Sequence, residues 1–237
     1  MKIDYAGQEV IVTGGTGALG TAVVGLLLDA GARCSVPSRS RDASKNFTLA
    51  TEAGVRLFNG VDLTDESQVE AFYADAAGGN RLWASIHVAG GFAMGPIEKT
   101  SADAFLHQIS TNAVTCFLCC REAVRRMGDS GGGRIVNVCA RPVLEPRTGA
   151  GMAAYTASKA AVAALTVALA QEVVARDILV NAVVPSIMDT PANRKAMPDA
   201  DVSQWVDVKQ VAATIAFLAS PQNTSTRGGL VPVYGKA

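Results

Sequence analysis

Short runs of β-branched and apolar residues alternate with longer stretches in which apolar residues recur every three or four positions, from one end of the chain to the other. The short runs read as strands: EVIVTG (9–14), RCSVPS (33–38), VRLFNG (55–60), WASIHV (83–88), RIVNVC (134–139), ILVNAVV (178–184) and LVPVYG (230–235). Between them lie helix candidates at 18–31, 65–78, a long one at 101–127, and AAYTASKAAVAALTVALAQEVVA at 153–175. Asp65 and Ser101 are suited to begin helices, and Gly31, Gly54 and Gly128 to end them. Strand–helix alternation implies parallel strands joined by crossovers, with helices on both faces. The expectation is an α/β fold: one domain over 1–237, a doubly wound parallel sheet of about seven strands.

Composition narrows the function classes. The 237 residues are 49% hydrophobic and 18% charged, with 23 glycines. Lys plus Arg equals Asp plus Glu at 21 each, so no net field draws the protein to nucleic acid or an anionic membrane. MKIDYAGQEV holds no apolar stretch of signal-peptide length, and the most apolar segment, 160–170, is about half a bilayer span. Five cysteines without a secretory signal suggest reduced thiols and a cytoplasmic location. Cys116, Cys119 and Cys120 form a C-x-x-C, but within an apolar helix pattern and with no second pair, so they read as small buried hydrophobes with raised pKa rather than a metal or redox site.

Between the first strand and first helix stands TGGTGALG, Thr13–Gly20. Glycines there allow a tight turn, let a backbone approach a pyrophosphate, and aim a helix N-terminus at the anion. No Gly-Lys-Ser/Thr follows, which excludes a P-loop. Further on, AYTASK sets Tyr155 and Lys159 four apart on one helix face, where an ammonium and a cationic cofactor ring favour a phenolate.

With these two motifs the chain resembles the short-chain dehydrogenase/reductase family over essentially its whole length, which implies a single-domain Rossmann fold with a cofactor half (about 1–130), a catalytic and substrate half (about 131–237) and a lid over 186–206. Thr13, Gly14 and Gly20 match the family's TGxxxGxG, with Ala18 where the middle glycine is usual. One methyl is tolerable there if φ is negative. Tyr155 and Lys159 match its catalytic Y-x-x-x-K. The resemblance implies catalysis by Asn112, Tyr155 and Lys159, with Asn112 in STNAVTCF as the residue that holds a kinked helix and a proton-relay water. It implies a nicotinamide cofactor held by Gly14, Thr16, Gly17, Ala18, Leu19 and Gly20, by Ser38 and Arg39, and by Asp62 and Leu63 in GVDLTD. Ala89, Gly90 and Gly91 in HVAGG would line it too, beside Tyr155 and Lys159, although both asparagines of the usual NNAG are missing. So would Pro185, Met188 and Thr190 in VVPSIMDTP, where Ser186 replaces a glycine. The second strand ends in Ser38, where an NAD enzyme carries an aspartate. Arg39 follows it, so NADP(H) is expected over NAD(H).

One position departs. The family places a serine at the end of the fifth strand, and NVCARP puts Ala140 there, with Cys139 before it. Losing that donor costs on the order of a hundredfold in rate if nothing replaces it. Cys139 should point to the opposite face, and Thr148 is a possible substitute from the loop before Tyr155. The dihydropteridine reductases lack this serine, and the chain resembles them in VAGGFAMG (88–95), TGAGMAAY (148–155) and DTPANRKAMPDADVSQW (189–205). Ala140, Met197, Trp205 and Arg194 are the candidate substrate contacts. Three readings follow: a carbonyl/alcohol oxidoreductase acting on a small molecule, reduction of a conjugated pteridine-like ring, or a non-catalytic nucleotide-binding protein. A homodimer or homotetramer is expected from the resemblance alone.

Overall fold

The computed structural model describes residues 3–79, 81–128 and 131–236. Its seven-stranded parallel sheet runs in the order β3-β2-β1-β4-β5-β6-β9. The strands are β1 (Glu9–Thr13), β2 (Arg33–Ser38), β3 (Val55–Asn59), β4 (Leu82–His87), β5 (Gly133–Val138), β6 (Ile178–Pro185) and β9 (Leu230–Val233). All seven expected strands are present, each within two residues of its expected bounds. Two short strands, β7 (Met188–Asp189) and β8 (Val206–Asp207), pair separately outside this sheet.

Alternation along each strand builds two cores. Val10 and Val12 point into one, with α1 (Ala18–Asp29) and α7 (Val208–Leu218). Ile11, between them, points into the other, with α2 (Glu66–Ala77), α4 (Thr115–Met127) and α5 (Ala153–Glu172). Period-2 patterning with both faces covered gives the near-continuous apolar strands of a parallel sheet. Asp65 and Ser101 cap α2 and α3 (Ala102–Gln108), accepting from the backbone N–H of Gln68 and Ala104 at 3.1 Å each. Each cap contributes about 1 kcal/mol.

Four expectations need correction. The long helix at 101–127 is interrupted: Ile109–Val114 widens into a π-turn between α3 and α4. Helix α7 was absent from the expected elements, yet it packs Val211, Ile215 and Leu218 into the first core. Gly54 ends no helix; with φ of +95° it turns the chain into β3. Finally, α5 lies within its expected bounds, but taken whole its 20 residues are long and apolar enough by composition to cross a membrane, whereas the apolar segment 160–170 alone is about half that span. Here its inward side carries buried Ser158, Lys159 and Thr166 against the sheet.

Strand order reverses between β1 and β4, so the connections leaving their C-terminal ends diverge and open a crevice.

Candidate active site

The turn after β1 is shaped by two close approaches and an open helix start. Gly14 has φ of +66°, and a Cβ there would lie 2.6 Å from the Ala89 nitrogen. At Gly20 a Cβ would overlap the Gly14 carbonyl oxygen, so the first turn of α1 rests directly on the loop. Gly17 is the N-cap of α1 and makes no side-chain cap bond, which leaves the first N–H groups of the helix facing outward. Ala18 is not among the residues with positive φ, so its methyl carries no backbone strain.

A cavity of about 1130 Å³ extends from this turn across the C-terminal ends of the strands. Every position the sequence marked for the cofactor lines it, from Gly14 to Thr190, as do three of the four marked for substrate, Ala140, Met197 and Trp205. Asn112 and Arg194 do not. Arg194 instead forms a bidentate pair with Asp189, Nε–Oδ1 2.6 Å and Nη2–Oδ2 2.8 Å, within the segment 186–206. At the far end of the turn, Ser38 Oγ accepts from the Ser40 amide at 3.3 Å and Arg39 lies exposed beside it. Asp62 is held by Thr64, whose amide and hydroxyl donate to its Oδ1 at 2.9 and 2.8 Å.

Asn112 acts from behind the cavity wall. Its Oδ1 accepts from Gly91 N–H (3.0 Å), and its Nδ2 donates to Gly91 C=O (2.9 Å) and to Ser158 Oγ (3.0 Å). The π-turn carries this side chain, joining the loop after β4 to α5. Gly90 keeps the space in front open: a Cβ would lie 2.5 Å from Asn112 Oδ1 and 3.3 Å from Lys159 Nζ. Lys159 is buried and donates to Val138 C=O at 2.9 Å, which ties α5 to the end of β5.

One turn earlier Tyr155 faces the cavity, with the Phe92 ring edge-to-face against it at 4.9 Å. Burial raises the phenol pKa to about 12, with a smaller contribution from Cys139. Burial lowers that of Lys159. Burial thus opposes the phenolate that the neighbouring ammonium and a cationic cofactor ring favour.

Ala140 sits on the wall with no donor to offer. Cys139 corrects the expectation that it faces away: its Sγ lies 3.9 Å from the Lys159 carbonyl, against the catalytic helix, and the residue lines the cavity. Burial raises its thiol to about 12, so it remains a weak donor. Thr148 reaches the cavity, but its hydroxyl donates to Glu145 C=O at 2.8 Å. Phe92, Met94, Met152, Arg141 and Ile187 also line the cavity and were missed. Phe92, Met94, Met152 and Ile187 lie in loops without periodicity, where only unusual apolar character marks them.

Behind the site runs a buried polar chain. Asn137 Nδ2 donates to Thr166 Oγ1 (2.8 Å), which donates to Val162 C=O (2.7 Å). Asn137 Oδ1 must therefore accept from His87 Nδ1–H (2.8 Å), leaving Nε2 to accept from Ser85 Oγ (2.8 Å). Cys116 and Cys120 adjoin this histidine, the three ligand atoms lying within 4.8 Å of one another. With its proton committed to Asn137, His87 Nδ1 has no lone pair for a metal. Burial pushes Cys119 up, and the bond to Cys116, followed by burial, pushes Cys120 up. Cys116, accepting from Cys120, is drawn down, against the raised pKa expected of it.

Comparison with known proteins agrees with this architecture. The family model described as short chain dehydrogenase matches residues 8–215. Galactitol 2-dehydrogenase of Rhizobium johnstonii (strain DSM 114642 / LMG 32736 / 3841) is 32% identical, covering 98% of this chain and 95% of its own. Cis-4-hydroxycyclohexanecarboxylate dehydrogenase of Sinomonas cyclohexanicum is 31% identical, covering 98% and 96%. The solved structure "ElxO with NADP Bound" superposes with a TM-score of 0.89 at 25% identity, covering 97% of this chain and 98% of that one. These relatives lend the resemblance to dihydropteridine reductases no support.

Proposed function

We propose, for a chain that belongs to the short-chain dehydrogenase/reductase family and is therefore an NAD(P)-dependent oxidoreductase, a division of labour in which Tyr155 exchanges the substrate proton, Lys159 and Asn112 hold the geometry around it, and NADP(H) is preferred over NAD(H). The observation that carries the reading is Tyr155, a half-buried phenol facing the cavity one turn before the buried Lys159. A phenol of this kind donates to a carbonyl oxygen during reduction, and its conjugate base accepts from an alcohol during oxidation.

The glycine turn fits a dinucleotide. Gly14 and Gly20 leave no room for a Cβ against backbone, and the uncapped start of α1 offers N–H groups to a pyrophosphate. Bound there, the nicotinamide would supply or take up the hydride. Lys159, with one N–H on Val138 C=O, keeps further N–H groups for a ribose hydroxyl and the phenol. Asn112 holds Gly91 and Ser158 and is a positioning residue.

Cofactor choice rests on the end of β2. Ser38 supplies no carboxylate to a ribose 2′-hydroxyl, and Arg39 makes no ion pair among the described residues, leaving its guanidinium for a 2′-phosphate. The test is kcat/KM with NADPH and NADH on one substrate: at least a tenfold preference for NADPH is expected, lost in Arg39→Ala. A native preference for NADH would overturn the assignment.

The exposed Leu106, Val114, Phe117 and Val167 on α3, the π-turn, α4 and α5 support a homo-oligomer. Five buried, unpaired cysteines support a reducing, cytoplasmic setting.

A further inference from the structure

Arg141 stands directly after Ala140, at the end of β5, and lines the cavity. Its guanidinium is held in two ways. Nε donates to Glu145 Oε2 at 2.9 Å, and Cζ lies 5.0 Å from the centre of the Tyr234 ring. Tyr234 is tied to the cavity wall in turn, because its carbonyl accepts from Ser186 Oγ at 2.7 Å. Nη1 and Nη2 of Arg141 make no hydrogen bond among the described residues. A guanidinium fastened by Nε and an aromatic ring keeps one edge, with two parallel N–H groups, for a ligand.

Charge is divided along the cavity. Asp62, after β3, is the one carboxylate that lines it among the described residues, and Arg39 follows β2. In the order β3-β2-β1-β4-β5, the end of β5 lies roughly 14 Å from that of β2 and roughly 19 Å from that of β3. Beside Tyr155, therefore, the wall carries Lys159 and Arg141, both basic, and no carboxylate. Glu145 offsets Arg141 only in part. It meets the guanidinium through one oxygen, and its side chain is 40% exposed, so water screens the pair.

We infer that Arg141 binds a carboxylate on the substrate, so that the enzyme acts on a keto acid or the matching hydroxy acid. This rests on the proposed role of Tyr155, which meets the carbonyl or hydroxyl oxygen while Arg141 meets the acid group. Two carboxylate oxygens match the two N–H groups of the open edge. One guanidinium, already partly offset, suits a monoanion better than a phosphate dianion. The carboxylate takes no part in hydride or proton transfer; it selects which molecules bind. Charge-assisted hydrogen bonds of this kind are worth about ten- to a hundredfold in affinity.

The test compares 4-oxopentanoate, 5-oxohexanoate and 6-oxoheptanoate, each with its methyl ester, at saturating NADPH. The three differ in the reach from carbonyl to carboxylate. For at least one pair, kcat/KM for the acid is expected at least tenfold above the ester, mainly through KM. Arg141→Gln should lower this acid-to-ester ratio at least tenfold, and Arg141→Lys, which keeps the charge without the fork, should restore part of it. Binding is read separately by calorimetry on the NADPH complex, in which the cofactor's own phosphate contacts are filled. Pentanoate should bind at least tenfold tighter than pentanamide, and Arg141→Gln should erase the difference. Equal losses for acid and ester in Arg141→Gln show a structural role and overturn the inference. So does a wild-type enzyme that prefers neither the acids nor pentanoate, a result that needs no variant to fold. Both leave the role of Tyr155 standing. Turnover that survives Tyr155→Phe overturns that role instead, while the pentanoate comparison judges Arg141 by itself.

Discussion

Replacing Asn112 with alanine removes three hydrogen bonds at once: those to the N–H and C=O of Gly91, and the one to Ser158 Oγ. The first two are part-buried, so water relieves some of the loss; the third is buried. Ser158 keeps its bond to Tyr155 C=O at 2.7 Å and is not left unsatisfied. At about 1 kcal/mol for each lost bond the variant should be less stable by roughly 3 kcal/mol. For a domain of this size that lowers Tm by about 6–12 °C. Thermal unfolding by circular dichroism measures it. Activity should fall further than stability explains, because Gly91 and α5 lose their link beside Tyr155. Asn112→Asp serves as a matched control: it keeps the acceptor for Gly91 N–H but sets an oxygen against Gly91 C=O, and should be at least as destabilised when ionised. A Tm loss below about 2 °C for Asn112→Ala, with unchanged kcat/KM, would refute the positioning role.

Three other outcomes are expected. Gly20→Ala forces a methyl into the Gly14 carbonyl and should weaken NADPH binding at least tenfold by calorimetry, with wild-type affinity refuting the close approach. Cys116, Cys119 and Cys120 should bind no stoichiometric zinc and alkylate slowly in the folded protein, judged by mass spectrometry, because they are buried and His87 Nδ1 carries its proton toward Asn137. The phenol pKa of Tyr155, raised from the ordinary 10.0 to about 12, means its burial favours the folded state up to about pH 10 and ceases to do so as pH rises through about 12. The near-ultraviolet titration difference between wild type and Tyr155→Phe, without cofactor, should therefore show no phenolate below about pH 11; ionisation below pH 10 contradicts it.

The sheet was legible because alternation, β-branched runs and intervening helices carry it residue by residue. The glycine turn and Tyr155–Lys159 were legible because their chemistry depends on local spacing. What escaped notice is non-local. Around Asn112 only the family resemblance implies a kink, and the residues themselves do not announce a π-turn, since the widening meets partners at Gly91 and Ser158, 21 and 46 positions away. Helix α7 is absent from the expected elements although Val211, Ile215 and Leu218 carry a helical period. Arg194 looked like a substrate contact until Asp189, five residues earlier, was found to hold it. The spacing of Tyr155 and Lys159 shows the charge that favours a phenolate but not the burial that opposes it. Phe92, Met94 and Ile187 lie in loops, where apolar residues have no period to explain them and only the folded cavity gives them a role.

The central claim is that the Tyr155 hydroxyl supplies the proton in hydride transfer. Steady-state kinetics and NADPH titration of Tyr155→Phe test it most directly. The phenyl ring preserves the edge-to-face contact with Phe92 and the packing of α5, so only the reacting proton is lost. The hydroxyl acts in the transition state, so kcat should fall by about a thousandfold or more while Kd for NADPH stays within about threefold. A variant that retains most of its kcat would show that the proton comes from elsewhere.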